Sequence, residues 1–287
     1  MKEKKYKRRG LWADAWRRLK KNKLAIVGLI IVILIMIIAV AAPVVAPHHY
    51  NEQELENAFH SPSMKYPFGT DEFGRDILSR VIYGSRISIM VGFLATGISL
   101  IGGGFVGAIA GYYGGKLDNV IMRVMDVLLA IPTILLAIAI VAALGPGLVN
   151  LMIAVGISSI PWYARTVRAA VITIKEMEFI EAAKVSGSSN LRIIFKHIVP
   201  NCMAPIIVRT TVGVASAILS AASMSFLGLG IQPPVPEWGA MLSSGRAYIR
   251  GFSYMSLFPG VAIMTTILSL NFLGDGLRDA LDPKLKN

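Results

Sequence analysis

Long stretches without a charge divide this chain more plainly than any repeat does. From Leu24 to Ala46 it reads LAIVGLIIVILIMIIAVAAPVVA, which meets the roughly 20 apolar residues needed to cross a hydrocarbon core. Further apolar runs occupy Ile87 to Gly111, Val120 to Leu144, Leu148 to Ala164, Met203 to Ser225 and Met255 to Leu273. The pattern predicts an all-α, polytopic membrane helical bundle of about six transmembrane helices. The chain then divides into a basic segment (1–23), a first span (24–46), an extracytoplasmic loop (47–86), a five-helix core (87–274) and a tail (275–287).

Composition supports lipid over water as the solvent: 54% of residues are hydrophobic and 16% charged, against about 25% charged in soluble domains. The net charge of +12 does not point to nucleic acid, because 11 of the 29 Lys and Arg lie between Lys2 and Lys23, a juxtamembrane cluster rather than a basic groove. With both termini cytoplasmic, 23 Lys and Arg fall on the inner side and six in the outer loops, an asymmetry that obeys the positive-inside rule. Ala39-Val40-Ala41 after a basic segment also allows a cleaved signal peptide, although the apolar run is long for one. Cys202 is the single cysteine, so no intrachain disulfide can form and redox chemistry is not expected.

Small residues mark two helix faces. Gly103, Gly107, Gly111 and Gly115 recur every four residues, and Gly213, Ala217, Ala221 and Ser225 form a second strip; such strips let another helix pack closely, or in the second case offer a smooth pathway wall. The stretch from Gly111 to Lys116 invites comparison with a phosphate-binding loop, but Ala110 holds the first Gly position and Leu117 the hydroxyl position. ATP binding by this chain is not expected. Intramembrane charge is limited to Arg123, Asp126 and Arg209, with Arg123 and Asp126 spaced to pair on one face, and Pro132 and Pro161 can kink their spans.

The interval from Arg165 to Pro200 is the largest internal loop, and it is patterned as helix. Glu176 to Ser186 reads as one helix with Phe179, Ala182 and Ala183 on a face, Lys184 in its last turn and Gly187 supplying the left-handed stop. Ser188 or Ser189 caps a second, with Leu191, Ile194, Phe195 and Ile198 along one apolar side, before Pro200 closes the loop. From physics alone this fits an amphipathic hairpin on a membrane surface. Glu181-Ala182-Ala183, then Gly187, then Pro200, however, resembles the EAA signature of permease subunits of ATP-binding-cassette (ABC) importers, with His197 and Val199 departing from the pattern's usual Ile and Leu. The resemblance implies a type I ABC importer permease fold, in which this short helix docks into a cytoplasmic ATPase and couples nucleotide-driven closure to the membrane part.

Phe68 to Ile77 (FGTDEFGRDI), Phe226 to Pro234 (FLGLGIQPP), Trp16 to Lys23 and Gly274 to Pro283 look like stretches of oligopeptide and dipeptide importer permeases, specifically the second, C-type subunit. That family implies a homologous partner permease, two ATPase subunits that hold ATP and magnesium, and an extracytoplasmic solute-binding protein, all serving a peptide substrate at the cytoplasmic membrane of a bacterium or archaeon. No cofactor is expected on this chain. FGTDEFGRD itself reads as a turn and a short surface helix, with Asp71 and Arg75, and Asp76 and Arg80, spaced as pairs worth about 0.2 to 0.5 kcal/mol each; Trp238, Gly239 and the prolines from Pro233 to Pro236 suggest an ordered outer hairpin. His48, His49 and His60 share the outer loop, and nickel permeases belong to the same broad family, but the spacing matches no defined metal site. An ion-coupled carrier would need mid-membrane charge or inverted repeats, and an enzyme a catalytic constellation; neither is evident.

Overall fold

Asn22 opens the first long helix: its side chain accepts the backbone N–H of Ala25 at 3.1 Å, satisfying one of the donors that a helix start leaves free. The computed structural model describes residues 11–282; the basic residues among 1–10 and the tail 283–287 lie outside them. Among the described residues the long regular elements are all helices, in the order α1 (Leu11–Leu19), α2 (Lys23–Val45), α3 (Ile77–Tyr113), α4 (Gly115–Ala130), α5 (Thr133–Leu144), α6 (Leu148–Lys175), α7 (Glu178–Val185), α8 (Asn190–Ile193), α9 (Val199–Asn201), α10 (Met203–Phe226), α11 (Trp238–Gly245) and α12 (Tyr254–Leu281).

Four of these, α2, α3, α10 and α12, are long and apolar enough to cross a membrane, and α4 with α5 makes a fifth if they count as one bent span. The six expected spans resolve differently in two places. The run from Val120 to Leu144 breaks at Pro132, where α4 and α5 meet at 89°. Pro132 has no N–H to continue the helix and forces Ile131 into extended backbone (φ −89°, ψ 127°). The stretch from Leu148 lies in α6, which is 28 residues long but carries Asn150, Ser158, Ser159 and Arg165. It is the central helix of the bundle, packed along its length on α3, so it needs less apolar surface than a lipid-facing one.

A core of small and branched residues joins the spans: Val91 and Ala95 of α3, Val141 of α5, Leu151 and Val155 of α6, and Ala217 and Met224 of α10. Outward, α2 exposes Leu24, Val27, Ile30, Leu34 and Ile37, apolar surface that only lipid or another helix would cover. On its other side Gly28 presses on α12, where an added Cβ would sit 2.5 Å from the carbonyl oxygen of Ser269.

At the end of the bundle opposite α7, residues 47–76 fold over the helices. Here the FGTDEFGRD stretch is not a surface helix. It is a buried turn, and Asp76 is the N-cap of α3, accepting from Ser79 N at 2.9 Å. Asp71 Oδ2 binds Arg75 Nε at 2.7 Å and lies 3.5 Å from Arg80 Nε, and all three residues are less than a tenth exposed. Arg80 therefore answers to Asp71 rather than to Asp76, and its other donor reaches the carbonyl of Tyr50 at 3.1 Å. Stacked rings close the lid, Phe68 on Phe258 with centroids 3.8 Å apart. The three loop histidines take separate positions: His48 Nδ1 lies 3.6 Å from Asp76, His49 packs on Tyr50, and His60 Nδ1 meets the carbonyl of Ser61.

α11 is anchored at the same end by Glu237, a carboxylate 2% exposed whose two oxygens accept the N–H groups of Gly239 and Ala240, each at 2.9 Å. Burial pushes this carboxyl above the usual range, and the two backbone donors oppose the shift. Trp238 beside it is buried and donates from its indole to the carbonyl of Val81 at 3.0 Å.

Candidate functional site: the α7 segment

Eight residues make α7, too few to be stable alone in water, so its position rests on what it buries. Ile180 is fully buried, and it joins Val167 and Val171 of α6, Tyr112 and Ala108 of α3, and Ile193, Ile194, Ile198 and Cys202 in one apolar cluster, with Ala183 packed at its edge. Burying a branched side chain stabilises by about 1.5 to 3 kcal/mol, and four isoleucines seat the loop on the ends of α3 and α6. A polar tie adds direction: Tyr112 donates to Asn190 Oδ1 at 2.7 Å.

The other face is bare. Glu178, Phe179, Glu181, Ala182 and Val185 are exposed, Val185 at 89%. The grouping expected from sequence is thus divided, with Ala183 turned inward and Phe179 and Ala182 outward. The second expected stripe divides likewise: Ile194 and Ile198 are buried, while Leu191 and Phe195 are 66% and 65% exposed. Gly187 has φ +74° and follows the last turn, where Gly187 N donates to Lys184 O and Ser188 N to Ala183 O, a left-handed ending that a side chain would strain. Ser189 stands at the start of α8 without a side-chain cap.

Pro200 does not close the loop. The chain runs on helically through α8, a π-turn at Ile194–Ile198, and α9 into α10. Pro200 lacks the N–H that would bond back along an α-helix, and the wider π-turn, in which Val199 N reaches Ile194 O, takes up the mismatch. Pro200 itself is exposed.

Behind α7, the small-residue strip brings α3 against α6. A Cβ added at Gly103 would lie 2.6 Å from the carbonyl oxygen of Ile160, one at Gly111 2.9 Å from that of Arg168, and one at Gly107 nearer still to that of Ala164. Gly115 is apart from this strip; it lies past the end of α3 with φ +58° and nothing close to it. In the second strip Gly213 faces the Tyr163 hydroxyl, while Ala217, Ala221 and Ser225 are buried between α10 and its neighbours.

Two ion pairs here carried no signal in the sequence. Arg168 of α6 grips Asp118 of α4 through two hydrogen bonds of 2.5 Å each. Arg165 takes Asp126 at 2.6 Å, so Asp126 pairs across helices instead of with Arg123. Partners 50 and 39 residues apart share no periodicity that could have announced them. The Gly111 to Lys116 stretch forms a helix-to-helix joint, with Gly114 at φ +67° and Lys116 exposed, unlike the strand-to-helix loop that cradles a phosphate.

A helical membrane bundle with a seated amphipathic helix at one end defines a class, and the comparisons agree on it. Residues 103–287 match the family described as binding-protein-dependent transport system inner membrane component, and residues 10–62 match the N-terminal TM domain of oligopeptide transport permease C. The chain belongs to this family of multi-pass ABC importer permeases. It is 52% identical, over 96% of its length and 91% of the relative's, to the dipeptide transport system permease protein DppC of Alkalihalophilus pseudofirmus. Against the di/tripeptide transport system permease protein DppC of Pseudomonas aeruginosa it is 47% identical over 96% of this chain and 92% of that one. The glutathione transport system permease protein GsiD of Escherichia coli O157:H7 is 46% identical over 96% and 91%. In fold it resembles a chain of the MetNI methionine ABC transporter in an inward-facing conformation, at a TM-score of 0.59 and 18% identity, covering 72% of this chain and 98% of that one.

Proposed function

We propose that the chain is the second of two permease subunits in an importer of short peptides, driven through α7 by ATPase subunits. The observation that carries this reading is the division of α7 into a buried Ile180 side and a bare side of Glu178, Glu181, Ala182 and Val185. A helix held by one face offers the other to a groove. The peptide assignment is supported by relatives named for dipeptides and di/tripeptides.

In this reading the α7 end and both termini face the cytoplasm, and residues 47–76 with α11 face the solute-binding protein. ATP and magnesium belong to the ATPase subunits, and this chain performs no catalysis. When the ATPases close, α7 moves with them. Because the isoleucine cluster ties α7 to α3 and α6, and the Gly103, Gly107 and Gly111 strip ties those two helices to each other, the push passes to the bundle and shifts it between outward and inward openings.

The test is ATP-dependent uptake of a labelled dipeptide by proteoliposomes holding the permease pair and the ATPases, with the binding protein added. Glu181→Lys, at an exposed position, is expected to leave the chain folded, and Gly187→Asp to strain only the left-handed turn after α7; both are expected to reduce ATPase association and uptake together. Unchanged association and uptake in both variants would discard the coupling role; uptake of nickel but not of peptide would discard the substrate.

A further inference from the structure

Between α6, α10 and α12, at the α7 end of the bundle, lies a cavity of about 660 Å³ that the coupling reading leaves unused. Its walls are apolar, from Ala170 and Ile174 of α6 and Val208 and Val212 of α10, and two cations stand in them, Arg209 and Arg278. Arg209 is unusual. Its guanidinium rests 5.8 Å from the ring centre of Trp162 and 5.5 Å from that of Tyr163, yet its Nε is buried without an acceptor among the described residues. Arg209 is half-buried, and a guanidinium without a carboxylate partner among the described residues, standing in an apolar wall, suits an anion.

Depth narrows the choice of anion. Arg209 lies six residues into α10 and Arg278 three residues from the end of α12, which at 1.5 Å per residue puts both within about 9 Å of the helix ends. That puts Arg278 at headgroup depth and Arg209 about one turn further in, where a long side chain reaches back to the headgroups, and the half-exposed Trp162 beneath Arg209 is a residue type that favours the interface. Asp282 also lines the rim, so the lining holds two guanidiniums and one carboxylate.

We infer that this cavity is a site for an acidic phospholipid, its phosphate on Arg209 and Arg278 and an acyl chain along Ala170, Ile174, Val208 and Val212. Met177, immediately before α7, and Cys202, immediately before α10, also line it. The lipid therefore touches both strands of chain that lead into the coupling loop, and its presence would brace the loop against α12.

The experiment uses the full permease with its partner subunits in nanodiscs of phosphatidylglycerol and phosphatidylcholine, delipidated stepwise, with retained lipid counted by native mass spectrometry. Wild-type protein is expected to retain phosphatidylglycerol in preference to phosphatidylcholine. Arg209→Gln and Arg278→Gln should each lower that retention about tenfold, the loss of one charge-assisted contact, and Arg209→Lys should restore part of it. Val212→Trp, which fills the cavity without changing charge, should lower it too. Arg278 is exposed, so its variant tests the site even if Arg209→Gln fails to fold. Equal retention in all variants, no preference between the two lipids, or displacement of the lipid by inorganic phosphate at equal concentration would overturn the proposal. So would unchanged lipid retention with a raised KM for peptide uptake, which would assign the cavity to the transport path. Lipid retention is read without transport, so the result stands apart from the peptide assignment.

Discussion

The two ends of the bundle are held by opposite chemistries. At the end carrying residues 47–76, charge is buried: Asp71, Arg75 and Arg80 form a closed set under stacked Phe68 and Phe258, and Glu237 is sealed over the start of α11. At the α7 end the charged residues Glu178, Glu181 and Lys184 face outward, and Ile180, Ile193, Ile194 and Ile198 do the holding. Buried ion pairs demand one geometry and fail abruptly when it is lost, whereas aliphatic contacts are non-directional and tolerate sliding. One end is built as a fixed cap and the other as a seat.

The sharpest way to break this contrast is Asp71→Ala. It removes the carboxylate that two buried guanidiniums share, a loss of about 3 to 5 kcal/mol, and a steep fall in thermal stability of the purified protein is expected; a change within the range of surface substitutions would show that the cap is not closed. Next is Ile180→Ala, which should cost about 2 to 5 kcal/mol of local packing but register as faster hydrogen exchange confined to 176–200, with the spans unaffected. If exchange instead rose evenly along α3 and α6, α7 would be part of the rigid body and not a seated element.

The smallest effect is at Cys202, which is 1% exposed and whose thiol burial pushes up to about 11. The thiolate is the reactive form, so alkylation by iodoacetamide at pH 8 should be far slower than for a free cysteine, rising only as the pH nears that value. ATPase-driven displacement of α7 should expose the thiol and speed alkylation within each turnover. Rapid labelling of the resting protein would mean the seat is already open.

Much of the architecture was legible because membrane spans are written in one variable, apolar length. Leu24 to Ala46 needed no other information, and Gly187 announced its left-handed turn. What escaped detection depended on distance in sequence. Asp118 and Arg168 meet across two helices, and Asp71 gathers Arg80 as well as Arg75 only because residues 47–76 fold back on α3. Periodicity also misassigned faces: the apolar stripe groups Leu191 and Phe195 with Ile194 and Ile198, but the chain buries Ile193, Ile194 and Ile198 and leaves Leu191 and Phe195 exposed. In α7, the pattern of alanines pointed to a helix with a compact face, while Ile180, which fixes the helix in place, read as one isoleucine among many.

Gly103, Gly107 and Gly111 have a mechanical meaning beyond close packing. Where side chains separate two helices, rotamers can absorb a displacement before the far helix feels it; where backbone rests on backbone, nothing compressible lies between. The three hydrogens that these residues carry in place of methyl groups join α3 and α6 at that level as a single beam, so that in the proposed coupling a push that crosses the Ile180 seat would move both helices together.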